Sequence, residues 1–410
     1  MKILYLSYDG MTDPLGQSQV LPYLLELSKL GYQITLLSTE KAQNFQLRSA
    51  TIQGLLEEHR QQNPEAVLDW HYISYTKKPP VLSTLKDVKT LRKKAFQLHQ
   101  KHQFDVVHCR SYVTSLVGLQ MKKKLGVRFI FDMRGFWANE RVDGGLWNLS
   151  NPVFRVIYNY FKRKERHFLV AADYTISLTK NAKDEIQNWP GCRKTPIEVI
   201  PCCVDTELFD YQKVNRFLMP HHPFTISYLG SIGTWYMLEE MLRFFKRVLL
   251  FYPNAQFLFI TTEPPHLIYD QAKKLDIPET HIKVEKAERK EVPDKLAQSD
   301  ISLFFIKPLY SKKASSATKM GEILAMGIPI ITNNNVGDHQ MLFEKYQFGS
   351  LIDKFDDATF DYAIDQLPAT RGIAKEKLRN AALEYYSLKK GVNLYDKVYR
   401  EVLDIPVNDR

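Results

Sequence analysis

The sequence predicts an α/β protein with two doubly wound domains, each a parallel sheet with helices on both faces. Short apolar runs alternate with amphipathic segments along the chain, a pattern typical of parallel strands connected by helices. The alternation breaks off at an irregular segment in the middle of the chain and then starts again. A length of 410 residues, with 44% hydrophobic and 25% charged residues, is typical of a globular protein of two or three domains.

In the first half, apolar β-rich runs predict strands at Lys2–Ser7, Gln33–Ser38, Val106–His108, Arg128–Asp132, Tyr174–Ser177 and Glu198–Ile200. Amphipathic segments predict helices at Gln19–Leu30, Leu82–His102 and Ser111–Leu125. Gly31 and Gly126 follow two of these helices and indicate where they end. Asp9–Ser18, which contains two glycines and a proline, is predicted to be a loop.

The irregular segment, Thr206–Pro223, includes His221 and His222. Beyond it, strands are predicted at Phe224–Leu229, Gln256–Thr261, Ile282–Glu285, Ile301–Phe305, Ile328–Thr332 and Gly349–Ile352, and helices at Leu238–Phe251 and Ala374–Leu403. We predict a first domain at 1–205, a second at 206–380 and a C-terminal helix at 381–410. Ligands bind beyond the carboxyl ends of parallel strands, so we expect the two domains to face each other across a cleft. A two-substrate transferase and a hinged binding protein both suit such a cleft.

The net charge of +10 lies entirely in the first half, where residues 1–205 hold 29 Lys and Arg against 19 Asp and Glu. Such an excess indicates an anionic partner. No segment approaches 18 apolar residues, and Asp9-Gly10 interrupts the apolar N-terminal run, which reads as a buried strand rather than a signal segment. The four cysteines show neither a disulfide framework nor zinc spacing. We expect a cytoplasmic protein.

The strongest chemical pattern lies in the second half. Lys307 is predicted to end a strand, lysines and serines follow it, and a helix is predicted to begin near Ser316 and to end at Gly327. Free N–H groups at a helix start favour phosphate, and nearby hydroxyl and ammonium groups add donors. Glu322 shares a helix face with Lys319, where a carboxylate can accept both hydroxyls of a ribose. The alternative is ordinary capping by Ser316 with a solvated Lys–Glu pair.

This segment resembles the donor-site motif of family 4 glycosyltransferases, enzymes of the GT-B fold, in which the helix reads Ser-Pro-x-Lys-x-x-Glu-x-x-Ala-x-Gly-x-Pro-Val-Ile. The matching residues are Ser316, Lys319, Glu322, Ala325, Gly327 and Pro329. Further segments resemble the family in its order along the chain, namely Asp9–Gly16, Asp105–His108, Ala172–Ser177 and Val199–Asp205. The resemblance covers about the whole chain. It implies two Rossmann-like domains of the GT-B type and a C-terminal helix that crosses back to the first domain.

The resemblance also implies a nucleotide-sugar site in the second domain, with the donor-binding residues Gly230, Ser231, Lys307, Ser315, Ser316, Thr318, Lys319 and Glu322. The chain departs from the family at three positions. Ala314 stands where many members have a Glu that helps to hold the sugar, and Ser231 and Tyr236 stand where many have Arg and Lys. We therefore expect the diphosphate to depend on Lys307, Lys312, Lys313 and Lys319, with Gly230 and Gly233 permitting close approach of the chain.

A second informative stretch, Phe131–Arg141, follows a predicted strand and resembles a loop of the family's acceptor domain. Many members place a His there, near the anomeric centre, and this chain has none between His108 and His167. We predict that Asp132 or Arg134 takes its place, and both are candidate catalytic residues. Arg134 would neutralise the leaving phosphate, and Asp132 would orient the acceptor hydroxyl.

Other residues complete the predicted acceptor side, namely Gly16, Gln17 and Glu140. The alternative is that Asp132, Arg134 and Glu140 form a structural ion network under Trp137. The sequence shows no metal-binding pattern of the HxH, HExxH or DxD type. We therefore expect no metal and no other cofactor, and the resemblance implies that the anomeric configuration is retained.

Basic residues cluster on three predicted helices of the first domain, at Lys86–Lys94, Lys122–Lys124 and Arg155–Arg166. The last of these is interleaved with aromatic residues, and such a helix can lie on an anionic membrane surface, where each basic residue contributes about 1 kcal/mol. Solvated helix faces are the alternative. Nucleic-acid binding is a further interpretation of the same charge, but no recognisable nucleic-acid module is present.

We therefore expect a glycosyltransferase of the hexosyltransferase type, with a UDP- or GDP-sugar donor and a saccharide or lipid-linked acceptor. Its place would be polysaccharide or glycolipid biosynthesis, at the inner face of the membrane. One alternative is a nucleotide-sugar epimerase of the same fold, which would need an acid/base pair. Another is a non-catalytic nucleotide- or sugar-binding protein. A dinucleotide oxidoreductase would need GxGxxG after the first strand, where the chain has Asp9-Gly10 and then Gly16.

Overall fold

The computed structural model describes residues 1–79, 81–214 and 223–404. The described chain forms two compact units. The first comprises Met1–Pro201 and the chain from Gly391 onwards, and the second comprises Cys202–Lys390. His221 and His222 of the irregular segment, and positions 405–410 of the predicted C-terminal helix, lie outside the described residues.

The strands of the first unit are β1 (Lys2–Ser7), β2 (Gln33–Glu40), β3 (Val67–Ser74), β4 (Val106–Arg110), β5 (Arg128–Asp132), β6 (Tyr174–Ser177) and β7 (Ile197–Val199). They pair in parallel in the order β3-β2-β1-β4-β5-β6-β7. The helices of this part of the chain are α1 (Pro14–Gln19), α2 (Leu21–Lys29), α3 (Ala42–Gln62), α4 (Leu82–His102), α5 (Ser111–Leu125), α6 (Trp137–Asp143), α7 (Pro152–Ala171) and α8 (Lys180–Gln187).

The strands of the second unit are β8 (Thr225–Leu229), β9 (Gln256–Ile260), β10 (Ile282–Glu285), β11 (Ile301–Leu303), β12 (Ile330–Asn333) and β13 (Gly349–Ile352). They pair in parallel in the order β10-β9-β8-β11-β12-β13. The helices are α9 (Leu238–Phe251), α10 (Pro265–Lys274), α11 (Val292–Leu296), α12 (Thr318–Ala325), α13 (His339–Tyr346), α14 (Asp357–Asp365), α15 (Leu367–Arg371) and α16 (Lys375–Ala381), and α17 (Leu388–Val402) closes the described chain.

The two sheets share one topology. In each, the third, second, first and fourth strands lie side by side, which is the order of doubly wound nucleotide-binding sheets. The central strands β4 and β8 are buried along their whole length, as expected for strands covered on both faces. The predicted α/β, doubly wound architecture is therefore confirmed. The strand order reverses between β1 and β4 and between β8 and β11, and ligands bind at such switch points.

Some predicted bounds in the first unit are wrong. The predicted loop contains α1, because Pro14 is suited to the first turn of a helix, and Gly16 and Gln17 therefore lie on a helix. β4 continues to Arg110, so His108 lies inside the strand rather than at its end. α3 and β3 had no sequence prediction, and most residues of α3 are exposed, so it shows no clear apolar stripe.

One bound near the predicted donor site is also wrong. β11 ends at Leu303 rather than at Phe305, and Lys307 lies beyond the strand. The Phe304 N–H still donates to the Ile331 carbonyl at 3.1 Å. Further along, the Asn333 side chain donates to the Ile306 carbonyl at 2.9 Å and accepts from the Ile306 N–H at 2.8 Å, so it holds the chain beyond the strand.

The C-terminal stretch is not one helix. α16 runs into a π-helical turn, Ala382–Tyr386, and Ser387 separates that turn from α17. Ser387 pairs with Val204, and the Val204 N–H donates to the Tyr386 carbonyl at 2.7 Å. The chain returns to the first unit at Gly391, within α17.

Candidate functional site

The N-terminus of α12 has no side-chain cap. The helix begins at Thr318, and its N-cap residue is Ala317. Ser316 lies just outside the helix, and its hydroxyl accepts from the Cys202 N–H at 3.1 Å. The predicted helix start was therefore two residues early, and capping by Ser316, the alternative interpretation, is not what the structure shows. First-turn N–H groups without a side-chain cap can receive an anion.

Lys319 is buried in the first turn of α12, with 7% of its surface exposed. Among the described residues, its Nζ has no hydrogen-bond partner. The amine lies 3.5 Å from the centre of the Tyr236 ring and 4.1 Å from that of Tyr228. Burial lowers the pKa of Lys319 well below its ordinary value, although Glu322 acts in the opposite direction. A buried amine of this kind gains strongly from a bound anion.

Glu322 lies one turn further along α12 and has 8% of its surface exposed. Its Oε1 accepts from the Arg289 guanidinium at 3.0 Å. The alternative of a solvated Lys–Glu pair is therefore wrong, because Lys319 is buried among aromatic rings and the carboxylate pairs with Arg289. Sequence reasoning missed Arg289, which lies in the short 3-10 turn Arg289–Glu291 and carries no periodic pattern.

Gly230 and Ser231 follow β8 at the strand-order reversal. Gly230 has φ +99°, a conformation that favours glycine, and a Cβ there would lie 3.5 Å from the Lys319 Nζ. The structure thus brings Gly230 and Lys319 together. Ser231 is exposed, and its hydroxyl donates to Glu263 at 2.6 Å. A donor would have to share that hydroxyl with Glu263.

The remaining predicted lysines differ in their surroundings. Lys307 is exposed, and its N–H donates to the Trp235 carbonyl at 2.9 Å. Lys312 is 4% exposed, and its Nζ lies 3.6 Å from the centre of the Trp235 ring. Lys313 is exposed, and its Nζ lies 5.4 Å from the centre of the Tyr310 ring. Ser315 is half-buried, and its N–H donates to the Lys312 carbonyl at 3.1 Å.

In the first unit, Asp132 is completely buried at the carboxyl end of β5. Its Oδ2 lies 3.5 Å from His108 Nε2 and 3.9 Å from Arg110, and its Oδ1 lies 3.9 Å from Arg134. Burial alone would raise the pKa of Asp132, but Arg134, His108 and Arg110 together hold it below its ordinary value. Arg110 also donates to Asp9 at 3.1 Å. The Asp132 carboxylate is therefore part of an ion network and is not exposed to solvent.

Two tyrosines of α17 complete this network. Tyr395 donates to Asp132 Oδ2 at 3.3 Å, and the Tyr399 hydroxyl lies 2.9 Å from His108 Nδ1. Burial lowers the pKa of His108 although Asp132 opposes this shift, so the imidazole is favoured in its neutral form. Sequence reasoning missed both tyrosines, which lie more than 260 positions from their partners.

The alternative of a structural ion network remains open. Asp132 and Arg134 face each other, and Glu140 lies half-buried on α6. Trp137 stacks on Tyr112 with ring centres 5.7 Å apart. Arg134 is 9% exposed and has φ 55°, an uncommon conformation for a residue other than glycine. Of the two predicted catalytic side chains, Arg134 is therefore the less enclosed. Whether Asp132 and Arg134 act in catalysis stays a prediction.

The predicted acceptor-side residues Gly16 and Gln17 lie on α1, close to the first loop. A Cβ at Gly16 would lie 2.1 Å from the Gly10 carbonyl, so this contact requires glycine. Gln17 donates to the Thr12 carbonyl at 3.3 Å. Buried Glu40, at the end of β2, accepts from the N–H groups of Met11 and Thr12 at 2.7 and 3.2 Å and holds the same loop. Glu40 had no sequence prediction.

No group of three or more His, Cys, Asp or Glu side chains in the described ranges could hold a metal ion. Within those ranges, no helix has both the length and the apolar character needed to cross a membrane.

Comparison with known proteins identifies a family match in the first half of the chain. Residues 18–208 match Glycosyltransferase Family 4. No curated protein sequence matches the chain. Sucrose-phosphate synthase from Thermosynechococcus elongatus has a similar structure, with 13% identity, a TM-score of 0.70 and coverage of 98% of this chain and 100% of its own.

Two further solved structures are similar over nearly the whole chain. Anabaena Alr3699/HepE in complex with UDP-glucose is 13% identical, with a TM-score of 0.67 and coverage of 97% of this chain and 99% of its own. A putative UDP-N-acetylglucosamine 2-epimerase from Listeria monocytogenes is 12% identical, with a TM-score of 0.57 and coverage of 100% and 98%. The GT-B fold is therefore confirmed. Residues 18–208 therefore carry the sequence pattern of Glycosyltransferase Family 4.

Proposed function

We propose that the protein transfers a hexose from a UDP- or GDP-sugar to a hydroxyl of a saccharide or lipid-linked acceptor. The second unit binds the donor, and the first unit contacts the acceptor. The anomeric configuration is retained, and no metal or other cofactor takes part. The Anabaena structure contains UDP-glucose on a similar fold, which supports a nucleotide-sugar donor.

One observation carries the donor assignment. The first turn of α12 presents uncapped N–H groups together with the buried amine of Lys319, which has no hydrogen-bond partner among the described residues. A diphosphate supplies the negative charge that both features favour. Glu322 follows one turn later, where it can accept the ribose hydroxyls while Arg289 fixes its orientation. Stabilisation of the departing diphosphate is then the main contribution of this unit to the reaction.

A nucleotide screen tests the proposal. UDP, GDP, ADP and CDP, and then UDP- and GDP-sugars, are added to the protein, and the unfolding temperature is measured. A bound donor stabilises the folded protein by mass action, so one nucleotide series should raise that temperature. The best sugar nucleotide is then incubated with the protein, with and without EDTA, and hydrolysis to the free diphosphate is followed. Absence of stabilisation by every nucleotide would contradict the donor site.

The epimerase alternative has one supporting observation, the structural likeness to the Listeria protein. Incubation with UDP-N-acetylglucosamine alone separates the two functions. An epimerase converts that sugar nucleotide to an isomer, whereas a transferase leaves the sugar configuration unchanged and requires an acceptor for rapid turnover.

We also propose that the first unit adsorbs to anionic membrane at the cytoplasmic face, where a lipid-linked acceptor of polysaccharide or glycolipid biosynthesis would be found. On α7, the side chains of Val153, Val156 and Tyr160 are 57%, 68% and 44% exposed, and Arg155 and Arg163 are exposed beside them. Exposed apolar and basic side chains on one helix are typical of membrane-surface helices.

A second helix has the same composition. On α4, Leu82 and Leu85 are 63% and 60% exposed, and Lys86 and Lys89 are exposed next to them. The basic residues contribute attraction to anionic lipid, and the leucines contribute burial in the headgroup region. The exposed apolar side chains on α4 and α7 distinguish these helix faces from ordinary solvated faces, which carry charged side chains alone.

Flotation with phosphatidylglycerol vesicles tests this proposal. The protein should float at low salt and less at high salt, because salt screens the attraction. Replacing Val156 and Arg163 by Glu should abolish flotation, whereas replacing the exposed Lys273 and Lys274 of the second unit by Glu should have little effect. Equal flotation of both double variants would show that α7 is not the contact surface.

A further inference from the structure

Two tyrosine rings form a cage around the amine of Lys319. The rings of Tyr228 and Tyr236 lie 5.6 Å apart, with an angle of 78° between their planes, so they form two adjoining walls. The Lys319 Nζ lies 3.5 Å from the centre of the Tyr236 ring and 4.1 Å from that of Tyr228. The Phe304 ring is further away, with its centre 5.7 Å from the same atom. An ammonium over an aromatic face is attracted by the ring quadrupole.

The backbone of the second unit fixes both rings. The Tyr228 hydroxyl donates to the Ser231 carbonyl at 2.7 Å, which ties the ring to the turn that follows β8. Tyr236 pairs with Ile306 beyond β11 and donates its N–H to the Ile232 carbonyl at 3.3 Å. The cage therefore spans the switch point between β8 and β11, where the donor diphosphate is expected.

The charged and titratable groups around the amine are few. On its own helix, Glu322 faces Lys319 and raises its pKa, but that carboxylate is paired with Arg289. Tyr228 lies on β8 and Tyr236 follows it. Burial raises the pKa of both tyrosines above the ordinary value, so they are uncharged at neutral pH. Glu263 also raises the pKa of Tyr228, and the Cys202 thiol and Glu322 raise the pKa of Tyr236.

These surroundings shift the pKa of the Lys319 amine in opposite directions. Burial lowers the pKa of Lys319 well below its ordinary value, and Glu322 opposes that shift. Aromatic faces also favour the charged form, but they do not replace the hydrogen bonds that an ammonium makes in water. An incoming diphosphate would supply both hydrogen-bond acceptors and negative charge, so it favours the protonated amine.

We propose that Tyr228 and Tyr236 are positioning residues that hold the Lys319 amine for the donor diphosphate, and that this amine gains a proton from solvent when the diphosphate binds. The inference rests on the proposed function, because it concerns the same donor site. It deepens that function by making donor binding dependent on pH.

Calorimetry at pH 8 tests the proton uptake. The second ionisation of a phosphate group has a pKa of about 6, so UDP itself takes up almost no proton at pH 8. UDP is titrated into the full chain in buffers with different ionisation enthalpies. The wild-type heat should change with the buffer and give an uptake of up to one proton per bound UDP. Lys319→Arg keeps a permanent positive charge, so UDP that binds to it should do so with a heat independent of the buffer.

The tyrosine cage is tested by paired substitutions. Tyr236→Leu removes the aromatic face and should weaken UDP binding by about 5- to 30-fold at pH 8, with a larger loss at pH 9 because the amine is then harder to protonate. Tyr236→Phe keeps the ring and should bind UDP like wild type. Tyr362→Leu, at a position 69% exposed on α14, is the matched control and should change neither affinity nor proton uptake.

Three negative results would have three different meanings. If no nucleoside diphosphate binds to the wild-type protein, the proposed donor site is wrong. If UDP binds with a heat that is the same in every buffer, donor binding stands and the proton uptake is wrong. If Tyr236→Leu binds UDP as wild type does at both pH values, the positioning role of the ring is wrong. The wild-type buffer series needs no variant, so it decides the question even if Tyr236→Leu does not fold.

Discussion

The carboxyl edge of each sheet holds a buried charged group, and the two groups differ in their neighbours. Asp132 faces cationic side chains, whereas Lys319 faces aromatic rings. In the first unit, Asp132 faces His108, Arg110 and Arg134 and accepts from Tyr395. In the second unit, Lys319 is also buried, but no described residue forms a hydrogen bond with its amine. Both units have the same sheet topology, so the difference comes from the side chains that the loops present.

This difference indicates how the two edges contribute. In the first unit Asp132 lies within 3.9 Å of Arg110 and Arg134, so opposite charges balance one another there, although Asp132 Oδ1, His108 Nε2 and Arg110 Nη1 also lack hydrogen-bond partners in the described chain. A buried amine without a hydrogen-bond partner costs stability in the free protein and recovers that cost when an anion binds. We therefore expect substitutions in the first network to change stability, and substitutions around Lys319 to change donor binding.

The largest expected effect concerns Asp132. Asp132→Ala leaves the guanidinium groups of Arg110 and Arg134 without their shared carboxylate, which should cost the first unit about 3–5 kcal/mol. Hydrogen exchange of the amides of β4 and β5 measures this loss separately from the second unit. UDP binding to the second unit should remain close to wild type. Asp184→Ala, at an exposed position on α8, is the control and should cost less than about 0.5 kcal/mol. Unchanged exchange in Asp132→Ala would mean that the network contributes nothing to stability.

The next effect has the opposite sign. Lys319→Met replaces a buried amine by an apolar chain and should stabilise the second unit at pH 7 by about 1–3 kcal/mol. The folded protein holds the pKa of Lys319 low, so the unfolded chain binds more protons until pH approaches about 10.4. Stability of the wild type therefore rises with pH in this range, and the gain from Met should shrink.

Urea unfolding at pH 7 and pH 10, with hydrogen exchange reporting on β8, measures this effect. Lys274→Met, at an exposed position at the end of α10, controls for the removal of a positive charge. A gain from Lys319→Met that stays constant between the two pH values would contradict the lowered pKa.

An effect of comparable size concerns Glu322, whose carboxylate accepts from Arg289. Glu322→Gln should weaken UDP binding by about 10- to 100-fold, because it removes a charged acceptor for the ribose hydroxyls. Against 2′-deoxy-UDP the same substitution should lose less, since one of those hydroxyls is absent. Glu344→Gln, at an exposed position on α13, should bind both nucleotides like wild type. Equal losses for UDP and 2′-deoxy-UDP would argue against ribose recognition by Glu322.

The smallest effect concerns the hydroxyl of Tyr395. Tyr395→Phe removes one hydrogen bond of 3.3 Å to Asp132 and should cost the first unit about 1 kcal/mol. Hydrogen exchange at β5 measures it. Tyr72→Phe, at a position 45% exposed, is the matched control and should leave exchange unchanged. A loss as large as that of Asp132→Ala would mean that α17, rather than the charges, holds the network together.

Much of the fold could be predicted from the sequence because apolar runs indicate strands directly. β5, α4, α5 and α9 have the predicted bounds, since each is a regular apolar or amphipathic segment between clear helix or strand stops. The position of α12 could be predicted to within two residues from its motif. The predicted start was early because Ser316 resembles an N-cap, whereas its hydroxyl is used by the Cys202 N–H.

The partners of the site residues could not be predicted. Arg289 lies in a short turn with no periodic pattern, and only the fold brings it to Glu322. Tyr395 reaches Asp132 across 263 positions of sequence. Tyr236 could be recognised as the loss of a family lysine, but its ring contact with Lys319 depends on the turn after β8. Local patterns specify elements, and long-range packing specifies which side chains meet.

The central claim is that the Lys319 amine binds the donor diphosphate. The most direct measurement is a calorimetric titration of UDP into wild type, Lys319→Met and Lys274→Met at pH 7. Loss of a charged hydrogen bond to a diphosphate should weaken binding to Lys319→Met by about 100-fold, while Lys274→Met binds like wild type. Equal affinities of wild type and Lys319→Met for UDP would contradict the account.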